Sequence, residues 1–296
     1  MEIQIQQSTR KTSDLHTKIW YLSKDPKFLT EKPFYSNIPF NDPEAKQTNV
    51  EMVQSPVNIT NIRGCENAFT LEKDGFQLVR VDTDMPKVYH QLHNPIWVQD
   101  SYYPVVQGWL TEVLGRDKVQ KIYIYDHTVR HHDPSRPPGS RGTDGALQPV
   151  PGVHVDHTVD SGPLRVQQHI PEPEASRLMK KRFQIINVWQ PLFEPIQDWP
   201  LALCSSSSVP QNEFVETDLV YPHYYGEIYS LTENPKYRWY YAKDQTTNEV
   251  WMFKNYDSDS SCPARFTPHC SFVNPEAPLG ARPRESIEFR VLVFFR

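Results

Sequence analysis

The sequence predicts a mainly β protein, a double-stranded β-helix of the jelly-roll or cupin-like kind, with a few flanking helices. Three observations carry that expectation. The 296 residues include 27 prolines and are 12% aromatic, which suits many short strands and ordered loops around an aromatic-filled interior. Stretches with the 3.6-residue helical period are few. Segments of strand-like pattern recur to the C-terminus in a number that closes two antiparallel sheets on each other. Chains of this length form one large domain or two small ones, and β-barrel enzymes often stay undivided. A single domain over 1–296 is expected, with 1–60 as an N-terminal wrap and 120–296 as the β-helix core.

Residues 1–50 are polar and punctuated by proline, and the aromatics of IWYL (19–22) and KPFYSNIPF (32–40) should lie across a core rather than form one. From Val57 to Thr83 apolar and polar residues alternate around Lys73-Asp74-Gly75. Asp-Gly marks a turn, so a hairpin at the edge of the main sheet is expected there. Segment 97–119 has helical period through YYPVVQGWLTEVLG, with Gly115 as its C-cap. KIYIYDHTVR (121–130) is the first clear core strand. It leads into HHDPSRPPGSRGTDGALQPVPG (131–152), a loop long enough to act as a mobile lid beside the HVD segment at 154–156. EPEASRLMKKRF (172–183) reads as a short helix with an acidic start. FQIINVWQPL (183–192), LALCSSSSV (201–209), RWYYAKDQTTNEVWMFKNYDS (238–258), ARFTPHCSFV (264–273) and ESIEFRVLVFF (285–295) supply further strands.

A formal net charge of −5 and an isoelectric point near 6.1, with no basic patch interleaved with aromatics, argue against nucleic acid as a partner. The N-terminal MEIQIQQSTRKTSD lacks the apolar core of a signal peptide, and no run of about 18 apolar residues could cross a bilayer. A soluble, cytoplasmic protein with a small-molecule substrate and no membrane partner is expected; monomer and homodimer are not separated. Cys65, Cys204, Cys262 and Cys270 lack CxxC pairing and read as ordinary thiols of a reducing compartment, a Cys262–Cys270 bridge being the less favoured alternative.

The chemistry concentrates in VPGVHVDHTV (150–159). In an extended strand residues i and i+2 face the same way, so His154 and Asp156 present an imidazole and a carboxylate side by side while Val155 points away. HxD alone is a weak signal in a chain with eleven histidines. His269, in RFTPHCSFV, is the third donor; His223, in the YPHYYGE loop, is its competitor. Two nitrogens and one oxygen on one side of an ion form the facial arrangement that suits non-haem Fe(II) and leaves positions open for O2.

Further on, Arg284 and Ser286 share a strand face. A guanidinium fork plus a hydroxyl two residues away matches the far carboxylate of 2-oxoglutarate, whose keto-acid end would chelate the iron. Arg290 lies on the same face and is the alternative clamp. HxD, a late histidine and RxS in that order are more specific than any one of them.

Asp126, Thr128 and Arg130 alternate on one strand face and either line the cavity or form a structural salt-bridged row. Asn187 and Trp189 share another face, where Trp189 either walls the pocket or fills the barrel. His157 faces away from the ligand pair by parity and is assigned a supporting role. His127, His131, His132 and Asp133 suggest a second, zinc-like cluster, but without cysteine partners and with a proline-rich loop following, that reading is not favoured.

DHTVR (126–130), HVDHT (154–158), FQIINVWQPL (183–192), RWYY with EVWMFKNYDS (238–258) and RFTPHCSF with PRESIEFRVLVF (265–294) together resemble the fungal CmcJ-like oxygenases. That group includes asaB-type hydroxylase/desaturases and is similar to the fungal gibberellin desaturase. The resemblance runs from about residue 62 to the C-terminus. It implies a double-stranded β-helix, Fe(II) held by His154, Asp156 and His269, and 2-oxoglutarate held by Arg284 with Ser286. The implied activity is hydrogen abstraction from a small natural product or amino-acid-derived substrate, ending in hydroxylation, desaturation or ring closure such as C–N bond formation. The chain departs from the group at His157, where Gln is common, and at Gln190, where Arg is common; Gln190 is accordingly counted with Asp126, Thr128, Arg130, Asn187 and Trp189 as pocket residues. The rival readings are a cupin-like metal protein that binds a small molecule without turnover and a zinc hydrolase using the same ligands.

Overall fold

Alternating and apolar segments of this chain settle into two sheets packed against each other. The computed structural model describes residues 14–38, 46–137, 147–222 and 224–296. In chain order the strands are β1 (Asp14–Leu22), β2 (Phe34–Ser36), β3 (Met52–Asn61), β4 (Phe76–Arg80), β5 (Val119–His131), β6 (His154–Val155) and β7 (Phe183–Pro191). They continue as β8 (Leu201–Cys204), β9 (Phe214–Tyr221), β10 (Tyr224–Leu231), β11 (Trp239–Tyr241), β12 (Glu249–Asp257), β13 (His269–Ser271) and β14 (Glu285–Phe295). The helices are α1 (Met85–Val88), α2 (Pro95–Trp97), α3 (Tyr103–Leu114), α4 (Ser161–His169) and α5 (Glu174–Leu178).

One sheet runs β1-β3-β11-β8-β13-β6-β10-β9-β2 and the other β4-β12-β7-β14-β5. Every pairing in the five-stranded sheet is antiparallel. β7 and β12 are buried along their whole length, which is why IINVW and VWMF read as continuous apolar runs rather than alternating ones. Alternation still decides which face each side chain serves. Ile186, Val188, Phe289 and Val291 meet Val106 and Leu110 of α3, whereas Trp189, Trp251 and Phe253 meet Leu201 and Leu203 of the opposite sheet and Ile62 just past β3. Burial of each of these large side chains stabilises by roughly 2 kcal/mol. The fold is therefore the mainly β double-stranded β-helix that the sequence predicts.

The helix within 97–119 is present as α3, and Gly115 ends it at φ +93° with its N–H on the Thr111 carbonyl. The hairpin expected around Lys73-Asp74-Gly75 is not. β3 pairs with β1 and β11, β4 pairs with β12, and the chain between them crosses from one sheet to the other. Gly75 has φ +87° and packs under the Thr267 and Ser206 side chains, so it serves a close approach rather than a two-strand turn. KIYIYDHTVR is an edge strand, β5, covered on one side by α3. Two features go beyond the sequence expectations. The strands β9 and β10 pair as a hairpin where the YPHYYGE pattern suggests only a loop, and α4 packs Gly162 on the Tyr256 ring, where no Cβ fits. The proposed lid falls partly on 138–146, outside the described residues, as does His223. All four cysteines are free thiols, and no helix among the described residues is long and apolar enough to cross a membrane.

Candidate metal centre

The register of the nine-stranded sheet sets His269 of β13 directly opposite His154 of β6. Their ring centroids are 4.3 Å apart. Strand β6 ends at Val155, and Asp156 is positioned instead by its backbone N–H, which donates to Asn255 Oδ1 at 2.9 Å. The Asp156 Oδ1 then lies 3.4 Å from His154 Nε2 and 4.0 Å from His269 Nε2. Donor atoms of all three residues fall within 4.8 Å of one another.

Both rings are oriented from behind. His154 Nδ1 donates to the Gly152 carbonyl at 2.8 Å and His269 Nδ1 to the Thr267 carbonyl at 3.0 Å. A carbonyl only accepts, so each Nδ1 carries the proton and each Nε2 keeps a lone pair facing Asp156. Burial, then the neighbouring His154, pulls the His269 imidazole down to about 4, which keeps it neutral. Burial alone would raise the Asp156 carboxyl, but the adjoining His154 and the charge of Arg290 hold it well below the usual range. Two imidazole nitrogens and one ionised oxygen, each ring held from behind by a backbone carbonyl, are a donor set that suits a divalent first-row metal.

A cavity opens from His154 and His269 and continues to Arg130, Trp189, Arg284 and Glu288. Arg284 is 2% exposed. Its Nε donates to Ser286 Oγ at 3.1 Å and its Nη1 to the Trp199 carbonyl at 2.8 Å, and its Cζ lies 5.0 Å from the Trp189 ring centre. Among the described residues no carboxylate pairs with it. Burial and the nearby Arg130 charge push its guanidinium down to about 9. The indole N–H of Trp189 is also buried without a partner among the described residues.

Arg290 differs in every respect. It donates to Asp126 Oδ2 and Thr128 Oγ1 at 2.8 Å each, to Glu288 Oε2 at 3.3 Å and to Asp156 Oδ2 at 3.4 Å. This row exists because Arg290 faces Asp126 of β5 and Asn187 of β7 in register. Asn187 Nδ2 bridges Asp156 Oδ2 at 2.8 Å and Glu288 Oε1 at 2.9 Å. Asp126, Thr128 and Asn187 thus stand beside the ligand cluster, and Arg130 lines the cavity while donating to the Gln148 carbonyl at 3.0 Å.

Gln190 is placed elsewhere. Its side chain joins Tyr102 Oη at 2.8 Å and the Thr247 carbonyl at 2.8 Å, on the α3 side of β7 and opposite to Trp189. Strand parity with Trp189 carried that information. His157 is buried, with Nε2 at 3.1 Å from Tyr125 Oη and Nδ1 at 3.4 Å from Ser161 Oγ. His127 meets Tyr103 Oη and His132 meets Asp198, while Asp133 caps Ser135, so these residues do not gather on an ion. Two residues beside the site, Asn255 and Glu288, are absent from the sequence expectations. Each is a polar residue buried within a strand, which is a usable signal.

Comparison with known proteins identifies the family and the class of enzyme. The family model described as YDMC, oxidoreductase/YMDC permease-like domain, matches residues 19–294. The hydroxylase/desaturase efuI of Hormonema carpetanum is 32% identical over 84% of this chain and 86% of its own. The Fe(II)/2-oxoglutarate-dependent dioxygenase nvfI of Aspergillus novofumigatus (strain IBT 16806) is 30% identical over 85% and 87%. A solved structure of the iron and alpha-ketoglutarate-dependent endoperoxidase NvfI superposes with a TM-score of 0.83 at 25% identity, covering 96% of this chain and 98% of that one.

Proposed function

This chain belongs to the YDMC family of oxidoreductase/YMDC permease-like domains, and from that premise we propose that His154, Asp156 and His269 bind Fe(II) while Arg284 and Ser286 hold the far carboxylate of 2-oxoglutarate. The protein is an Fe(II)/2-oxoglutarate-dependent oxygenase that uses O2. Fe(II) held by His154, Asp156 and His269 would supply the oxidative decarboxylation of 2-oxoglutarate to succinate and CO2, coupled to hydrogen abstraction from an unactivated C–H bond.

The rest is the work of the chain. Gly152 and Thr267 fix the imidazole tautomers through their carbonyls, and Asn187 and Arg290 occupy the second oxygen of Asp156 so that Oδ1 is left for the metal. Arg284, with no carboxylate partner among the described residues, supplies the charge that a dicarboxylate requires, and the Trp189 N–H offers a further donor in the same cavity. The substrate is a small natural product or amino-acid-derived molecule that enters beside Asp126, whose side chain is half exposed. How it lies there decides between hydroxylation, desaturation and ring closure.

One observation carries the reading: a single cavity joins two of the three donors, His154 and His269, to a buried guanidinium that no carboxylate pairs among the described residues. A zinc hydrolase on the same ligands would leave that guanidinium without an anion. The test is anaerobic loading with Fe(II) followed by 2-oxoglutarate. A weak visible charge-transfer band and, on admitting air, succinate are expected; iron-loaded protein that gives no band overturns the clamp.

A further inference from the structure

A second buried polar cluster lies outside the metal centre, around Lys254 of β12. The Lys254 side chain is fully buried. Its Nζ has two partners, Asp257 Oδ2 at 2.9 Å and Cys262 Sγ at 3.2 Å. Asp257 has a second cation besides it, because Arg182 reaches both carboxylate oxygens, Nε to Oδ1 at 3.0 Å and Nη2 to Oδ2 at 2.6 Å, while also pairing with Glu72. Gln184 adds a fourth donor at 2.8 Å. Glu72, Asp257 and Cys262 also bring three donor atoms within 4.8 Å, but Arg182 and Lys254 supply the positive charge that an ion would bring, so a metal has no electrostatic vacancy to fill.

What remains unusual is an amine held against a thiol with no other group between them. The thiol is not sealed off. Cys262, 8% exposed, lines a surface cavity together with Ser260, Pro263, Arg265 and Phe266. Dissolved oxygen can therefore reach the sulfur from outside, while the amine approaches it from the core.

We propose that Lys254 and Cys262 are a covalent modification site, at which dioxygen links them through a single oxygen as an Nζ–O–Sγ bridge. The S–H bond and one N–H bond break, S–O and N–O bonds form, and the O–O bond is cleaved. One oxygen becomes the bridge and the other leaves as water, carrying the two hydrogens, while the surplus ammonium proton passes to solvent. Sulfur and nitrogen give up two electrons each, and dioxygen takes up all four. The donor–acceptor separation of 3.2 Å needs only a small contraction, and Asp257 keeps Arg182 as its counter-ion after the lysine charge is lost. The bridge would tie β12 to the 258–264 turn one residue from Asn255, which positions Asp156, and next to Phe253, whose ring lies 4.6 Å from that of His269.

The test is mass spectrometry of the full-length protein purified anaerobically and then held in air-saturated buffer. A gain of one oxygen less two hydrogens, about 14 Da, is expected, on a cross-linked tryptic pair containing Lys254 and Cys262 and reversed by dithiothreitol. One of the four thiols should be lost to alkylation under denaturing conditions at the same time. Cys262→Ser and Lys254→Arg, the latter keeping a cation beside Asp257, should both abolish the gain. Additions of about 16 or 32 Da on Cys262 alone, a loss of about 2 Da, a persisting gain in Lys254→Arg, or no change at all would each overturn the proposal.

Discussion

Arg284, just before β14, and Arg290, within it, stand six residues apart in sequence, yet they occupy opposite electrostatic situations. Arg290 is surrounded by Asp126, Glu288 and Asp156; Arg284 has a hydroxyl, a backbone carbonyl and the face of an indole. Burial and neighbouring charge move the two guanidiniums in opposite directions, Arg284 down and Arg290 up despite its burial, because Glu288 and Asp156 favour its charged form. A buried cation without an anion costs stability unless a ligand completes it. On the proposed function, the paired arginine therefore belongs to the scaffold and the unpaired one to the ligand. Sequence parity puts both on the same face; only the charge around each separates their roles.

The comparison can be broken at three points, the largest at the donors themselves. Asp156→Ala or His269→Ala should reduce iron retention on the order of 100-fold or more, since even outer partners of metal ligands are worth about 10–100-fold. Dialysis against a weak chelator with iron quantified in the protein reads this directly, and near-normal retention in either variant would dismiss the assignment.

Arg290→Met comes next. It strands three carboxylates beside one another, for which a loss of about 3–5 kcal/mol is expected, seen as a fall of roughly 10 °C in thermal midpoint. Arg284→Met should do the reverse. It removes a buried charge, so the midpoint should hold or rise, while 2-oxoglutarate binding weakens about 10–100-fold through loss of charge-assisted hydrogen bonds. Titration of the anaerobic Fe(II) protein with 2-oxoglutarate, beside a melting curve for each variant, separates the two. If Arg290→Met is the variant that loses 2-oxoglutarate and keeps its midpoint, the roles are exchanged.

The same contrast explains what is legible in the sequence. The order HxD, late histidine and RxS survives any fold in which those segments are strands, so a candidate donor set, a candidate clamp and the β class can all be read from it. Which strand pairs with which cannot. Val57–Thr83 alternates as a hairpin does, but its two halves find better partners in β1, β11 and β12, and pairing is a long-range choice that a local pattern does not encode. Gln190 is a neighbour of the pocket residues in sequence, but one residue of strand parity turns it to the opposite face from Trp189. Asp156, expected on a regular strand, is carried instead by Asn255, from a strand distant in sequence.

A third guanidinium extends the rule away from the active site. Arg182 and Asp257 form a bidentate pair whose carboxylate side chain is fully buried. Burial works to raise the Asp257 carboxyl, but the hydrogen bonds from Arg182 and the charge of Lys254 outweigh it and bring it from the usual 3.8 down to about 2. A carboxyl with a depressed folded pKa contributes stability that is complete above its unfolded value and is lost as pH falls through the folded one. The contribution should be about 2 kcal/mol at neutral pH and should fade between roughly pH 4 and pH 2. Urea unfolding of wild type and Asp257→Asn across that range isolates it, because the other carboxyls titrate alike in both proteins. The gap between the two curves should close as the pH falls; a gap that stays constant would mean that Arg182 holds Asp257 by shape and hydrogen bonding rather than by charge, and the distinction between paired and unpaired arginines would then rest on the metal centre alone.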